Sequence, residues 1–293
     1  MLGLKYPLFQ GAMAWIADAD LAAAVSEAGG LGIISAGMND AEWLRKEINK
    51  AKGMTKKPFA VNIMLLSSHA DALADVVVEE GVKVVTTGAG SPAKYMKKWK
   101  EAGVIVIPVV ASVAFAKMMA RSSADALIAE GMEAGGHVGE ITSMCLIPQV
   151  CDAVDIPVIG AGGIADKRGV NAMYALGAEG IQIGTRFLIA KECNVHPAFK
   201  QKVLEAKDID TLVTGKRLGH PVRSLKSAMS RDFLKKEYDP EISNEQLEEL
   251  GRGAYRLAVE KGDEERGCFL CGQIAGLIKK EQTAKEIIEE LME

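Results

Sequence analysis

Eight short, β-branched runs recur along the first two thirds of the 293-residue chain, and that rhythm limits the possible fold more than any other feature. They begin at Pro7 (PLFQGAM), Leu31 (LGIISAG), Phe59 (FAVNIML), Val82 (VKVVTTGAG), Val104 (VIVIPVV), Ala124 (ADALIAEG), Ile156 (IPVIGAGGI) and Gly180 (GIQIGTRF). Segments of helical periodicity lie between them, such as DADLAAAVSEAGG and DALADVVVEEG. The runs are nearly all apolar rather than alternating, which suits a parallel sheet covered on both faces. Eight such units point to an α/β fold, a (β/α)8 TIM barrel over residues 1–190. An open doubly wound sheet is the alternative, because closure leaves no mark in a sequence.

Beyond the eighth run the pattern changes. Residues 191–266 carry more charge, as in KKEYDPEISNEQLEEL, and little strand character, so a helical cap beside the barrel mouth is expected there. Residues 267–293 are expected to form a C-terminal helix pair packing on the barrel. The net charge of −4, with 48% hydrophobic and 25% charged residues, suits a soluble globular protein. It gives no basic field for nucleic acid or anionic lipid, so neither is an expected partner. The run AGVIVIPVVASVAFA is too short to cross a bilayer and contains a proline, so it reads as core. The N-terminal residues lack a cleavable-signal layout, and a cytoplasmic protein is expected.

Five cysteines in a chain of this length do not suggest a disulfide framework. Cys268 and Cys271 form a C-x-x-C, but no second pair or nearby histidine completes a zinc site. The apolar spacing of GCFLCGQIAGLIKK places both thiols in the packed face of a helix, and Cys145 and Cys151 also fall on a helix.

In such a barrel the active site is built from the loops that follow the strands. The residues at those positions are Gln10-Gly11-Ala12-Met13, Ser35-Ala36-Gly37, Asn62, Thr87 through Ser91, and Ala111-Ser112. Glu130 through His137, Gly160 through Gly163, and Gly184-Thr185 complete the set. Glycine concentrates where a backbone must approach a ligand or take a positive φ. GAGGI after strand seven and IGT after strand eight fall where this fold binds phosphate, with N–H groups unobstructed and the Thr185 hydroxyl available as a donor. The bland alternative is a pair of ordinary tight turns. No Lys-Ser/Thr follows the glycines, which removes a nucleoside triphosphatase, and no lysine ends a strand as a Schiff base would need. His69, His137, His196 and His220 lie far apart with no metal-ligand spacing, so no metal site is expected. What remains is a mononucleotide cofactor with a planar ring, for which Gln10, Asn62 and Glu130 are suitable polar partners.

The segment EGMEAGGHVGE sets His137 behind Gly135 and Gly136. Such an imidazole is either a satisfied loop residue or a group that holds a proton near neutral pH and donates to a carbonyl oxygen. Glu133 and Glu140 flank the loop, and one of them is expected to start the next helix. Lys97, Lys98 and Lys100 form a basic cluster that reads as a solvated helix face before it reads as a docking site for an acidic carrier.

The stretches EGMEAGGHVGE, VNIMLLS, VVTTGAG, VIGAGGIAD, GAEGIQIGTRFLIAKE and GHPVRSLKSAMSRDF resemble the flavin-dependent enoyl-acyl carrier protein reductase II family. That family sits with the nitronate monooxygenases in a wider group of FMN-binding barrels, and the resemblance runs from about Pro7 to Leu277. It implies FMN across the barrel mouth, its phosphate held by Gly162, Gly163, Gly184 and Thr185. The ring would lie against Gly11, Ala12 and Met13, near Asn62 and Glu130, with Gly135, Gly136 and Gly160 in the same site. It also implies reduction by NADH or NADPH, hydride transfer to a trans-2-enoyl thioester on acyl carrier protein, and His137 as the active-site histidine. Monovalent-cation stimulation and a homodimer belong to the same branch, and nitronate oxidation with oxygen is the alternative activity. Gly90, Ser91 and Ser112 fall on the substrate side. His220 and Arg223, in GHPVR, either line an entrance for nicotinamide or acyl chain or belong to a plain surface loop. Ser91 stands where the family usually has asparagine, and Ala111 where a proline is common.

Overall fold

The structure, a computed structural model, describes residues 1–293. All eight expected strands form: Leu8–Gln10, Gly32–Ser35, Phe59–Met64, Val84–Gly88, Ile105–Val110, Leu127–Glu130, Val158–Ala161 and Gly180–Ile183. Every pairing among them is parallel, and the order runs first, eighth, seventh, sixth and so on to the second. The seam between the first and second strands closes through a Phe9–Leu31 bridge, with Leu31 N–H donating to Leu8 O at 2.8 Å and Gln10 N–H to Leu31 O at 3.0 Å. The sheet is therefore a closed (β/α)8 barrel, and the open doubly wound alternative falls away.

Side chains alternate along each strand between the barrel interior and the shell of helices. Phe9, Ile33, Ala60, Val84, Ile107, Ile128, Ile159 and Ala161 pack together inside. Their neighbours Leu8, Leu127, Val158 and Ile181 pack outward into one shell cluster, and Ile34, Val61, Val85 and Val106 into another. This parity sets which residue at each strand end can face the mouth. Four of the seven helices between strands begin at side-chain caps, with Asp18 Oδ1 accepting from Leu21 N–H at 3.1 Å and Asp40 Oδ1 from Trp43 N–H at 2.9 Å.

The excursion departs from expectation. It contains helices at Pro197–Glu205, Ala228–Glu237, Asn244–Gly251 and Ala254–Lys261, but also an antiparallel hairpin, Thr211–Thr214 with Val222–Leu225. Gly136–His137 joins this hairpin as a third strand, Val222 opposite His137 and Arg223 opposite Gly136. Each strand is only two to four residues long, too short for period-two alternation to stand out among the surrounding charges. The expected C-terminal helix pair is also replaced: residues Gln273–Leu277 make one 3-10 turn and Ala284–Met292 a single helix. Cys268 and Cys271 lie on neither. They sit in an extended segment that pairs with the hairpin through a Ser224–Leu270 bridge and a Leu225 N–H to Phe269 O bond of 2.8 Å.

The excursion and the C-terminal segment share the barrel's outer shell, since Phe199, Val203, Val259 and Phe269 pack in one cluster with Ile181, Ile183 and Leu188. Arg186, 3% exposed, follows the eighth strand and reaches Glu290 of the last helix at 3.2 Å. That helix buries Ile287, Ile288 and Leu291. No helix is long and apolar enough to cross a membrane.

Gln10 takes part in the seam rather than the mouth. Phe9 points inward, so Gln10 points outward, fully buried, with Oε1 accepting from Ile33 N–H at 3.0 Å and Nε2 donating to Gly11 O. Gln10→Leu, which leaves the Ile33 N–H without that acceptor, should cost about 1–3 kcal/mol of stability, measured by denaturant unfolding. The cavity should keep its ligand affinity in that variant, and a loss of affinity at unchanged stability would contradict the assignment.

Candidate active site

A cavity of about 620 Å³ opens at the carboxyl ends of the strands. Its lining includes the expected Gly11, Ala12, Met13, Asn62, Gly90, Glu130, Gly135, Gly136, His137, Gly162, Gly163, Gly184 and Thr185. No lysine or arginine lines it.

At the end built by strands seven and eight, Gly162 and Gly163 take φ of +93° and +78°, a region that favours glycine. A Cβ on Gly162 would stand 2.9 Å from Gly131 O and 3.0 Å from Ser143 Oγ. The loop after strand one comes just as near, since a Cβ on Gly11 would stand 3.2 Å from Gly184 Cα. The N–H groups of Gly162, Gly163 and Gly184 donate to no protein acceptor. Three free backbone donors beside the Thr185 hydroxyl form a cradle for an anion, in the place where this fold holds phosphate. Thr185 Oγ1 accepts from Gly272 N–H at 2.9 Å, which fixes the hydroxyl against the C-terminal segment.

The floor is polar. Asn62 Nδ2 donates to Thr86 Oγ1 at 3.0 Å, leaving its carbonyl oxygen free. Glu130 has no hydrogen-bond partner, and burial pushes its carboxyl up to about 7. Gln182 and Ser35, both nearly buried, complete the floor. A planar, polar-edged ring with a phosphate tail fits this donor set.

His137 stands at the rim. Its strand pairs with Val222, and Val138 N–H donates to Pro221 O at 3.0 Å, so the excursion holds the histidine in place. The imidazole is exposed, yet desolvation first and the nearby His220 second hold its pKa below the usual 6.5. At neutral pH it is uncharged and offers one donor and one acceptor nitrogen. Gly136 needs its glycine for a φ of +77°. Gly135 serves backbone packing, because a Cβ there would stand 2.7 Å from Cys271 C and 2.8 Å from Gly272 N.

Five other expected residues turn out to support the site from outside the cavity lining, in company with Gln10. Gly160 faces the shell, where a Cβ would meet Met173 Sδ at 2.7 Å. Ser112 caps the helix Val113–Arg121, accepting from Phe115 N–H at 3.2 Å. Ser91 is exposed and accepts from Ala93 N–H at 3.4 Å. Arg223 is 4% exposed, with Nε donating to Met132 O and Nη1 to Thr211 Oγ1, each at 3.1 Å. It pins the histidine loop to the hairpin. His220 is an exposed neighbour of His137. Glu133, as expected, starts the next helix: its carboxylate accepts from Ser143 N–H at 2.9 Å and Ser143 Oγ–H at 3.0 Å. Lys97, Lys98 and Lys100 pair with Glu101, Asp75 and Asp125, as a solvated helix face would.

Sequence reasoning missed Gln182, Trp15 and Tyr255. Strand parity could have found Gln182, which lies between outward-facing Ile181 and Ile183. Trp15 takes φ of +64°, unusual for a bulky residue, with the Arg256 guanidinium 4.9 Å from its ring centre. Tyr255 reaches the cavity from the excursion and has no local signal.

The nitronate monooxygenase family model matches residues 1–75 and 70–293. FabK from Thermotoga maritima has 50% sequence identity and a TM-score of 0.97, covering 99% of this chain and 93% of that one. Nitroalkane oxidase from Streptomyces ansochromogenes has 28% identity and a TM-score of 0.89, covering 99% and 95%. A probable nitronate monooxygenase of Staphylococcus saprophyticus is 32% identical over 95% of this chain and 92% of its own length. The (3aS,4S,5R,7aS)-5-hydroxy-7a-methyl-1-oxo-octahydro-1H-indene-4-carboxyl-CoA dehydrogenase of Mycobacterium tuberculosis is 32% identical over 100% and 93%.

The Glu130 carboxyl binds its proton more tightly in the folded chain, from an ordinary 4.5 up to about 7. Its contribution to stability therefore weakens as pH rises through that window. Glu130→Gln should remove this loss, gaining about 1–3 kcal/mol relative to wild type at pH 8 and nothing at pH 4, in unfolding titrations of the ligand-free protein. Parallel pH profiles for the two proteins would contradict the buried placement.

Proposed function

The chain belongs to the nitronate monooxygenase family, and from that premise we propose that it is an FMN-dependent enoyl-acyl carrier protein reductase driven by NADH or NADPH. The observation that carries this reading is the 50% identity over 99% of the chain with FabK from Thermotoga maritima, an enoyl-acyl carrier protein reductase II. The nitro-compound enzymes stand lower, at 32% and 28%. A nitronate monooxygenase is the second reading, favoured by the family model.

The cavity suits the cofactor on its own chemistry: free N–H groups at Gly162, Gly163 and Gly184 for the phosphate, and amide and carboxyl groups at Asn62, Gln182 and Glu130 for the ring edge. When bound, the flavin supplies hydride chemistry, accepting from a nicotinamide and donating to the β-carbon of a trans-2-enoyl thioester. The chain's own part is placement and proton control. His137, uncharged at neutral pH, donates a hydrogen bond toward the thioester oxygen, where negative charge grows as the β-carbon is reduced. Its strand pairing with Val222 and the Arg223 anchor fix the backbone that carries the imidazole before substrate arrives. The α-carbon takes a proton in the same turnover. Met38, Met64, Val109 and Phe115 give the side of the cavity remote from the glycine cradle an apolar wall for the acyl chain. Delivery of the thioester by acyl carrier protein in the cytoplasm, to a homodimeric enzyme, follows from this reading.

Anaerobic stopped-flow spectroscopy tests it. NADH or NADPH should bleach the flavin band, and crotonyl thioester should restore it. Restoration only by oxygen together with a nitronate would give the second reading instead. His137→Ala should lower turnover with the enoyl thioester by about 10²- to 10⁴-fold while flavin reduction by the nicotinamide persists. Full turnover in that variant would remove the role given to His137.

A further inference from the structure

The glycine cradle raises a question of charge. A phosphate in this cavity would be a dianion or close to it, yet no lysine or arginine lines the wall. The two arginines nearest in sequence to its lining residues are engaged elsewhere. Arg186, which follows Thr185, reaches Gln282 and Glu290. Arg256, which follows Tyr255, lies over the Trp15 ring and pairs with Glu260 at 2.7 Å. The anion must therefore be held by neutral donors.

One such donor has no other use. Tyr255 lines the cavity from the helix Ala254–Lys261, and its hydroxyl makes no hydrogen bond with the protein. Its ring packs against the shell cluster that contains Phe187, Leu188, Cys193 and Cys271. Cys271 in turn lies against Thr185, and the next residue, Gly272, donates to Thr185 Oγ1. The phenol and the cradle thus line one cavity, with Gly272 between the thiol and Thr185. Burial raises its pKa, so it keeps its proton and stays a donor across the working range.

We propose that Tyr255 is a ligand of the cofactor phosphate: its hydroxyl, with Thr185 and the free N–H groups of Gly162, Gly163 and Gly184, completes a cation-free anion site. This rests on the flavin reading above. The excursion is then part of the cofactor site itself, supplying a donor that no barrel loop provides. The Arg256–Trp15 contact, one residue along, holds the tyrosine's helix to the strand-one loop.

The test compares FMN with riboflavin, which has the same ring and ribityl chain but no phosphate. Binding is measured by quenching of flavin fluorescence on the deflavinated full-length protein, wild type and Tyr255→Phe. A hydrogen bond to a charged group predicts an FMN Kd raised about 10- to 100-fold in the variant. Riboflavin affinity should stay within twofold, which also shows that the variant is folded. An unchanged FMN Kd overturns the proposal, and so does equal weakening of FMN and riboflavin, which would place the phenol against the ring or chain. A wild-type protein that binds neither flavin overturns the flavin reading as well, so the two failures are distinguishable.

Discussion

Each barrel strand can present only alternate residues to the interior, and closure makes that alternation binding on all eight strands at once. A one-residue change of phase would send Phe9, Ile33, Ile128 and Ile159 into the helical shell and empty the interior. The site inherits the same phase. Asn62, Glu130 and Gln182 face the mouth because their neighbours Val61, Ala129, Ile181 and Ile183 belong to the shell. Gln10 and Gly160, out of phase with Phe9 and Ile159, cannot reach it. The polar floor under the cavity is thus a consequence of core packing, and the free donors above it come from the glycines that end strands seven and eight.

The excursion adds what the barrel lacks. The loop from Gly131 to Gly139 would be long and mobile on its own, but Glu133 ties one part of it to Ser143 and Arg223 ties another to the hairpin. Gly135 allows backbone contact with Cys271 and Gly272, so the C-terminal segment closes on the same loop. His137 is therefore held from three sides while its imidazole remains exposed. The arrangement accounts for the placement of the glycines: Gly136 supplies conformation, Gly135 supplies close approach, and neither was needed for room alone.

Much of this was legible in the residues. The recurring strand runs marked the barrel, and the glycine loops after strands seven and eight marked the cradle, because both signals are local and repeat. The hairpin at Thr211–Leu225 was not legible, since its strands are short and its third member, Gly136–His137, lies some 70 positions earlier in a glycine-rich loop. The C-x-x-C segment had helical spacing but takes an extended path, because pairing with the hairpin outweighs local propensity. Tyr255 and Trp15 were out of reach for the same reason: their roles depend on where the excursion lands, and no spacing in the sequence encodes that. Gln10 and Gly160 are different. Counting parity from Phe9 and Ile159 would have assigned them correctly.

On the function proposed above, the cavity holds a mononucleotide flavin with its phosphate between strands seven and eight and its ring over Asn62, Glu130 and Gln182. A crystal structure of the protein saturated with FMN tests it most directly. Phosphate density should lie within hydrogen-bonding distance of the Gly163 and Gly184 N–H groups and the Thr185 hydroxyl, with no cationic side chain in contact. Phosphate at the opposite end, near Met38 and Gly90, or no flavin in the cavity at all, would contradict it.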